Sequence, residues 1–340
     1  MAHAPQEPRE PGQNNAELQP QPLKVGSLVE GVAADGVAIV RKKVRREQPN
    51  GEAFLLFQLG DDTGQINAIL WRGGDIVDRQ LAPGDLAHVR GHVELYQKAR
   101  QIRIQHIQRV DPSRYDVTQY LPTSKNDLGE QYARLLQIME TVEQPFLRRL
   151  YSDILGDPEV SEKFRCAPAG KGWHHAYVGG LLEHCLSMIE LAEVLVRQHQ
   201  GLDRDLLLGG IVLHDIGKIE ELLFRSYIDY TNSGKLVGHL VQGCLLLGRF
   251  IDRIDAFPPE LRDRLLHMVV SHHGALERGS PKAPMTLEAT VLHLLDNLDS
   301  QAWATAHIVA NIRSEDGWSE TIRLINRPLF GGTSEASDNS

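Results

Sequence analysis

The sequence predicts a multidomain molecule: an N-terminal β-barrel followed by an all-α helical bundle. Three observations carry this. Strand signals run from Leu23 to Val110, helical periods take over from Leu128 onward, and ten of the fifteen histidines fall between His174 and His293, inside the helical half.

Residues 1–21 are rich in Pro, Gln, Glu and Asn without an apolar period, which predicts a disordered tail. In the β region, 22–111, Phe54-Leu-Leu-Phe-Gln-Leu59 reads as a strand, Asp61-Asp-Thr-Gly64 as a turn and Gln65 to Trp71 as the next strand. Asp75 to Leu81 reads as a short helix. Leu86 to Tyr96 pairs with Arg100 to Val110 across a turn at Gln97 to Ala99, and Gly91 inside its strand marks a bulge. Ile102 and Ile104 alternate with Arg103 and Gln105, as on a half-buried sheet. Five strands with a helix between the third and fourth is the layout of an oligonucleotide-binding (OB) barrel. Residues 112–127 carry Pro112 and Pro122 among polar residues and read as a linker. Helical periods then run to 326: Tyr132-Leu135-Leu136-Met139, Leu181 to Gln198, Leu206 to Leu213, Val237 to Ile251, Pro259 to Ser271 and Leu287 to Ile312. Residues 327–340 read as a second disordered tail.

An apolar fraction of 41% and a charged fraction of 24% suit a water-soluble globular chain, with no apolar run long enough to span a bilayer and no basic-then-apolar leader. Cys166, Cys185 and Cys244 are odd in number and form no CxxC, which argues against a disulfide framework or zinc ribbon and for a reducing, cytoplasmic setting. The formal charge is −9, yet 22–111 holds thirteen Lys/Arg against eleven Asp/Glu. Arg41-Lys-Lys-Val-Arg-Arg46 is where a basic face would lie. A barrel that binds single strands needs stacking rings and backbone cations. The candidates are Phe57, Trp71 and Tyr96 for stacking, with Lys42, Lys43, Arg45, Arg46, Lys98, Arg100 and Arg103 for phosphates. For Phe54 and Phe57, filling the barrel is the stronger reading. A preference between RNA and DNA is not legible.

The helical half carries the chemistry. His214 and Asp215 end the apolar run Leu206 to Leu213, facing an interior. A buried, isolated carboxylate costs several kcal/mol, so such a pair persists only when compensated. A helix-end pair bonded to backbone is the plain alternative. Further ligand types stand nearby, however: His184 upstream, and His239, His272, His273 and Asp296 downstream, each from an apolar surface. Imidazole with carboxylate suits Mn, Fe, Co, Ni or Zn, and Mg less well. The histidines exceed the needs of one ion, so two metals, or one metal with a phosphate-binding histidine pair, both fit.

The order His184 … His214-Asp215 … Asp296, with the segment LHDIGK, is the H…HD…D pattern of the HD phosphohydrolase superfamily. By that resemblance these four are the primary metal ligands. His239 in VGHLVQG and His272-His273 in SHHG resemble second-metal positions, and Lys218 resembles the lysine that contacts phosphate, a solvated helix-end lysine being the alternative. The barrel followed by HHAYVGGLLEH, VLHDIGK and SHHGALERGSPKAP resembles, over residues 23–326, the YhaM family of 3′–5′ exoribonucleases. The Gly-Tyr-Pro signature of cyclic-dinucleotide HD enzymes is absent after His273, where Ala275-Leu-Glu-Arg-Gly-Ser280 stands. The resemblance implies a metal-dependent 3′–5′ exonuclease acting on single-stranded RNA, with single-stranded DNA as a further substrate, and releasing nucleoside 5′-monophosphates. It implies one or two divalent ions, Mn²⁺ first and Co²⁺, Fe²⁺, Ni²⁺ or Mg²⁺ as alternatives, with Asp215 and Lys218 catalytic and a homo-oligomer as the assembly. His175 is a candidate substrate contact; His174 has no assigned role. Two rivals stay open: a strand-binding regulator with an inactive HD domain, and a hydrolase of free nucleotides whose barrel docks protein.

Overall fold

The computed structural model describes residues 20–332 other than 98, 116–118, 225–227, 313, 315 and 323. The chain divides into two compact units at the Asp111/Pro112 boundary.

The first unit is a closed barrel of β1 (Ala33–Glu47), β2 (Ala53–Asp61), β3 (Gly64–Leu70), β4 (Leu86–Tyr96) and β5 (Ala99–Arg109), in the order β1-β2-β3-β5-β4. Helix α1 (Gly74–Gln80) sits between β3 and β4 in the chain, as the sequence predicts. At 15 residues β1 is long enough to serve two neighbours: its first half pairs with β4 and its second half with β2. β3 and β5 pair in parallel and close the barrel. Alternation puts Leu55, Phe57, Leu59, Ile102 and Ile104 inside. The register shifts between Arg90 and Gly91, the bulge expected there. Phe57 is core; Phe54 is half-buried and stacks on Trp71.

The second unit is helical: α2 (Leu128–Glu140), α3 (Pro145–Gly156), α4 (Pro158–Cys166), α5 (Gly180–Gln198), α6 (Arg204–Leu213), α7 (Lys218–Glu221), α8 (Asn232–Leu236), α9 (His239–Ile251), α10 (Pro259–Ser271) and α11 (Leu287–Ala310). A minimal hairpin, β6 (Leu222–Leu223) with β7 (Asp229–Tyr230), follows α7. Helices α3 and α4 were not among the predicted elements. Each starts on a proline behind a capping side chain, Gln144 for α3 and Asp157 for α4.

Helix α6 is the axis of this unit. All residues from Leu206 to Leu213 are buried, and α5, α10 and α11 pack around them. Two glycines in mid-helix cost helix stability, on the order of 0.5–1 kcal/mol each. Their reason is close approach: a Cβ on Gly209 would fall 1.7 Å from Tyr151 Oη, and one on Gly210 would fall 2.0 Å from Met268 Cε. Burying this helix on every side forces the chain that leaves it, His214 onward, to start inside the core.

Two expectations are corrected. Residues 112–127 are no free linker: Tyr120 and Leu121 are buried, and Thr123 bridges to Val178, so the apolar pair outweighs the prolines. Of the expected tail 327–340, the described part pairs with the chain before it, through Ile322–Arg327 and Trp318–Phe330 bridges and a 4.9 Å contact between the Trp318 and Phe330 rings. Residues 1–19 and 333–340 lie outside the described residues. Among the described residues the three cysteines are free, and no helix is long and apolar enough to cross a membrane.

Candidate metal centre

Four elements deliver histidines to one place, and the rings of His184, His214, His239 and His272 are each fixed by Nδ1. The carbonyls of Ile211 and Val269 only accept, so His214 and His272 must donate to them from Nδ1, at 2.7 and 2.8 Å. Both carbonyls lie three residues upstream, a geometry that the ends of α6 and α10 supply on their own. His184, in α5, bonds Asp299 Oδ2 through Nδ1 at 2.7 Å. His239, the first residue of α9, bonds Glu221 Oε1 at 3.0 Å. The Nε2 atoms are thereby left to face one another across the interior.

Around them the acids close in. His184 Nε2 lies 3.3 Å from Asp296 Oδ1 and His214 Nε2 lies 3.2 Å from Asp215 Oδ2. Asp215 Oδ1 is 3.5 Å from His239 Nε2 and 3.6 Å from His272 Nε2. His239 and His273 meet Nε2 to Nε2 at 3.2 Å. Four overlapping triads result, His184/His214/Asp296, His214/Asp215/His272, His239/His272/His273 and His174/His175/His184, with candidate ligand atoms within 4.8 Å of one another in each.

The electrostatics fits a site for a cation. His184 and His214 are fully buried and Asp215 is 2% exposed. Yet His184 Nε2, His214 Nε2 and Asp215 Oδ1 have no hydrogen-bond partner among the described residues. Buried polar atoms are paired in the great majority of cases, so three orphans in two ligand groups that share His214 fit bound metal. The donor set, imidazole nitrogen with carboxylate oxygen, suits a divalent first-row metal. Burial pushes the Asp215 carboxyl up, but Lys218 and His214 outweigh it and hold it well below the usual carboxylate range. Burial also opposes charge on His184, but the neighbouring carboxylates of Asp296 and Asp299 outweigh it and raise the imidazole to about 9. Burial alone dominates at His272 and keeps it neutral.

All seven ligands expected from sequence, His184, His214, Asp215, His239, His272, His273 and Asp296, meet here. Lys218 differs from expectation. Its ammonium donates to Asp215 Oδ2 and to the Ala169 carbonyl, because the tight turn after α6 returns it to the aspartate three residues earlier. Its charge is thereby set against that of Asp215. The sequence reading missed Asp299, Glu221 and Ser187, which donates to Asp299 Oδ1. Asp299 had a usable signal: three residues after Asp296, it shares that face of α11. His175 is buried beside Asp299, its Nδ1 3.8 Å from Asp299 Oδ2. The His174 ring lies 5.0 Å from that of His184, with neither nitrogen hydrogen-bonded among the described residues.

With the geometry in view, comparison with known proteins is decisive. A 3′-5′ exoribonuclease YhaM of Geobacillus sp. (strain WCH70) is 32% identical over 301 residues, covering 88% of this chain and 92% of its own. The chain belongs to the YhaM 3′–5′ exoribonuclease family. The enzyme of that name from Bacillus subtilis (strain 168) is 29% identical over 304 residues, 89% of this chain and 96% of its own. The HD domain family model matches residues 181–301 of this YhaM-family chain, and that of the OB-fold nucleic acid binding domain matches 38–110. A solved domain of replication protein A from Methanococcus maripaludis is 25% identical over 26% of the chain and 92% of its own, with a TM-score of 0.23.

On the barrel of this YhaM-family chain the candidate contacts separate. Lys42, Arg46 and Arg103 are exposed. Trp71 is 40% and Tyr96 59% exposed. Lys43 is a correction: its ammonium bonds the carbonyls of Asp78 and Leu81 and pairs with the Asp78 carboxylate at 2.6 Å, tying β1 to α1. Arg45 is held by Asp75 and Glu47, and Arg100 donates to the Leu28 carbonyl. Lys98 lies outside the described residues.

Proposed function

We propose that this chain is a metal-dependent 3′–5′ exonuclease of single-stranded RNA, accepting single-stranded DNA as well, that releases nucleoside 5′-monophosphates in the cytoplasm. The observation that carries the metal requirement is the set of buried, unpartnered Nε2 and Oδ1 atoms of His184, His214 and Asp215. His184, His214, Asp215 and Asp296 would hold one divalent ion, and His239, His272 and His273 with Asp215 a second; Mn²⁺ suits both. An ion bound there supplies a hydroxide-like water near neutral pH and offsets charge on the phosphoryl group.

The residues of the chain do the rest. Asp299 and Glu221 fix the rings of His184 and His239, a carboxylate–histidine arrangement that also raises ligand basicity. Lys218 keeps Asp215 ionised inside the core, which is a positioning role. His175, beside Asp299, would be a contact for the substrate. Lys42, Arg46 and Arg103 draw in the strand by charge, while Trp71 and Tyr96 offer faces to bases.

The test is Asp215→Ala, assayed on 5′-labelled RNA with Mn²⁺, beside elemental analysis of purified protein. Loss of the shortening ladder together with loss of bound metal is expected. Unchanged shortening would remove the reading. A wild-type protein that hydrolyses nucleoside triphosphates and leaves oligonucleotides intact would replace it with the free-nucleotide rival.

A further inference from the structure

Asp296, Asp299, Trp303 and His307 recur along α11 at spacings of three and four, so one face of a single helix carries all four. The first two end in the metal centre. The next two continue the stripe away from it as aromatic rings. The indole of Trp303 lies 5.0 Å from the His307 ring, nearly parallel at 9°. The same indole meets His175 at 4.8 Å and 32°, and His175 in turn lies 5.6 Å from His184. Tyr177 flanks the same indole at 5.7 Å. The result is a continuous ladder of rings from a metal ligand to an exposed histidine.

Simple packing does not explain this ladder. Trp303 is half-buried and stands outside the apolar core that surrounds α6. His307 is exposed. His175 takes a left-handed backbone conformation, φ 44°, uncommon for a residue with a side chain. That backbone is clamped from below, since a Cβ on Gly180 would lie 1.9 Å from the His175 carbonyl oxygen. Non-glycine residues held in this region concentrate where a side chain must be aimed.

We propose that Trp303, between His175 and His307, is a stacking platform that seats an unpaired nucleobase of the strand beside the phosphodiester being cut. The incoming base takes the place of the exposed His307 ring, whose parallel geometry it reproduces. Every base offers a π-face, so the platform holds single strands without reading sequence, while a duplex end with its bases already stacked gains nothing there. Because Asp296 and Trp303 stand on the same rigid helix, the stacked base sits at a fixed distance from the metal centre. The proposal rests on the exonuclease reading and extends it to the 3′ end of the substrate.

The experiment uses full-length protein and RNA carrying one abasic nucleotide, placed in turn at each of the last few 3′ positions. For wild type, one such position raises KM by roughly tenfold or more. In Trp303→Leu, intact RNA already shows the raised KM and the abasic position adds nothing, whereas Trp303→Phe retains most of the stacking. An abasic penalty as large in Trp303→Leu as in wild type overturns the platform. A second measurement needs no variant: 2-aminopurine at the same position is quenched on binding to wild-type protein held in chelator, and absence of quenching at every 3′ position overturns it equally. Wild-type protein that leaves RNA intact instead overturns the exonuclease reading, and the platform with it.

Discussion

The two units treat polar side chains in opposite ways. Among the described residues of the barrel the one buried charged group is Asp61, and both its oxygens are satisfied, by the Val25 amide and by Thr63. Its candidate contacts stand on the surface, several already paired with neighbouring acids. In the helical unit His184, His214, Asp215, Lys218 and His272 lie in the middle of an apolar core, and some of their atoms have no partner among the described residues. Surface cations act additively and weakly. Buried unpartnered ligands act together, and each removal is costly. The contrast separates holding a strand from cutting it.

The largest effect expected from breaking this contrast is at Asp215. Asp215→Asn keeps the shape but removes the charge of the His214/Asp215/His272 triad, so the RNA cleavage rate falls by roughly a thousandfold or more, read by single-turnover kinetics. A residual rate within tenfold of wild type would place the chemistry elsewhere. Asp299→Asn touches no substrate yet loosens the aim of His184. Mn²⁺ affinity then drops about 10- to 100-fold, measured by calorimetric titration, while cleavage recovers at saturating metal.

Barrel variants should differ in kind. Lys42→Ala, Arg46→Ala and Arg103→Ala each weaken binding with kcat unchanged at saturating RNA, and each lowers the slope of log K against log salt by about 0.7. Lys43→Ala is the internal control: it leaves that slope alone and instead lowers thermal stability, since its amine ties β1 to α1.

The smallest effect concerns pH. His184 is raised from 6.5 to about 9, so in chelated protein its stabilising contribution is complete below pH 6.5 and is lost as pH climbs through 9. His174 and His175, lowered by burial to about 3 and about 4, act the other way: staying neutral in the fold, they reduce stability as pH falls below 6.5. Chelated protein therefore has its highest Tm near pH 6.5, by scanning calorimetry at low salt. A Tm that still rises between pH 6.5 and 9 would contradict the His184 assignment.

How much of this was readable from the chain follows the same divide. The HD ligands were legible because histidine and aspartate inside apolar helical runs are costly and therefore conspicuous. The Nδ1 partners were not, since Glu221 looks like a solvated helix-end acid until α9 folds over it. Lys43 and Lys42 were indistinguishable by composition, although strand alternation turns only one of them toward α1. Helices α3 and α4 are short, and Pro145 and Pro158 behind their caps are start signals that also fit loop punctuation. In the segment 112–127, two prolines signal a linker more strongly than the short apolar pair Tyr120-Leu121 signals burial.

The anchoring of His214 and His272 to carbonyls three residues behind them has one more consequence. Their aim is dictated by the main chain at the ends of α6 and α10, so a receptor for the proposed ion would be set by the fold rather than by the ion's arrival. Anyone transplanting this centre into another scaffold must therefore carry over two helix endings in their original relation, because the side chains by themselves hold no memory of where to point.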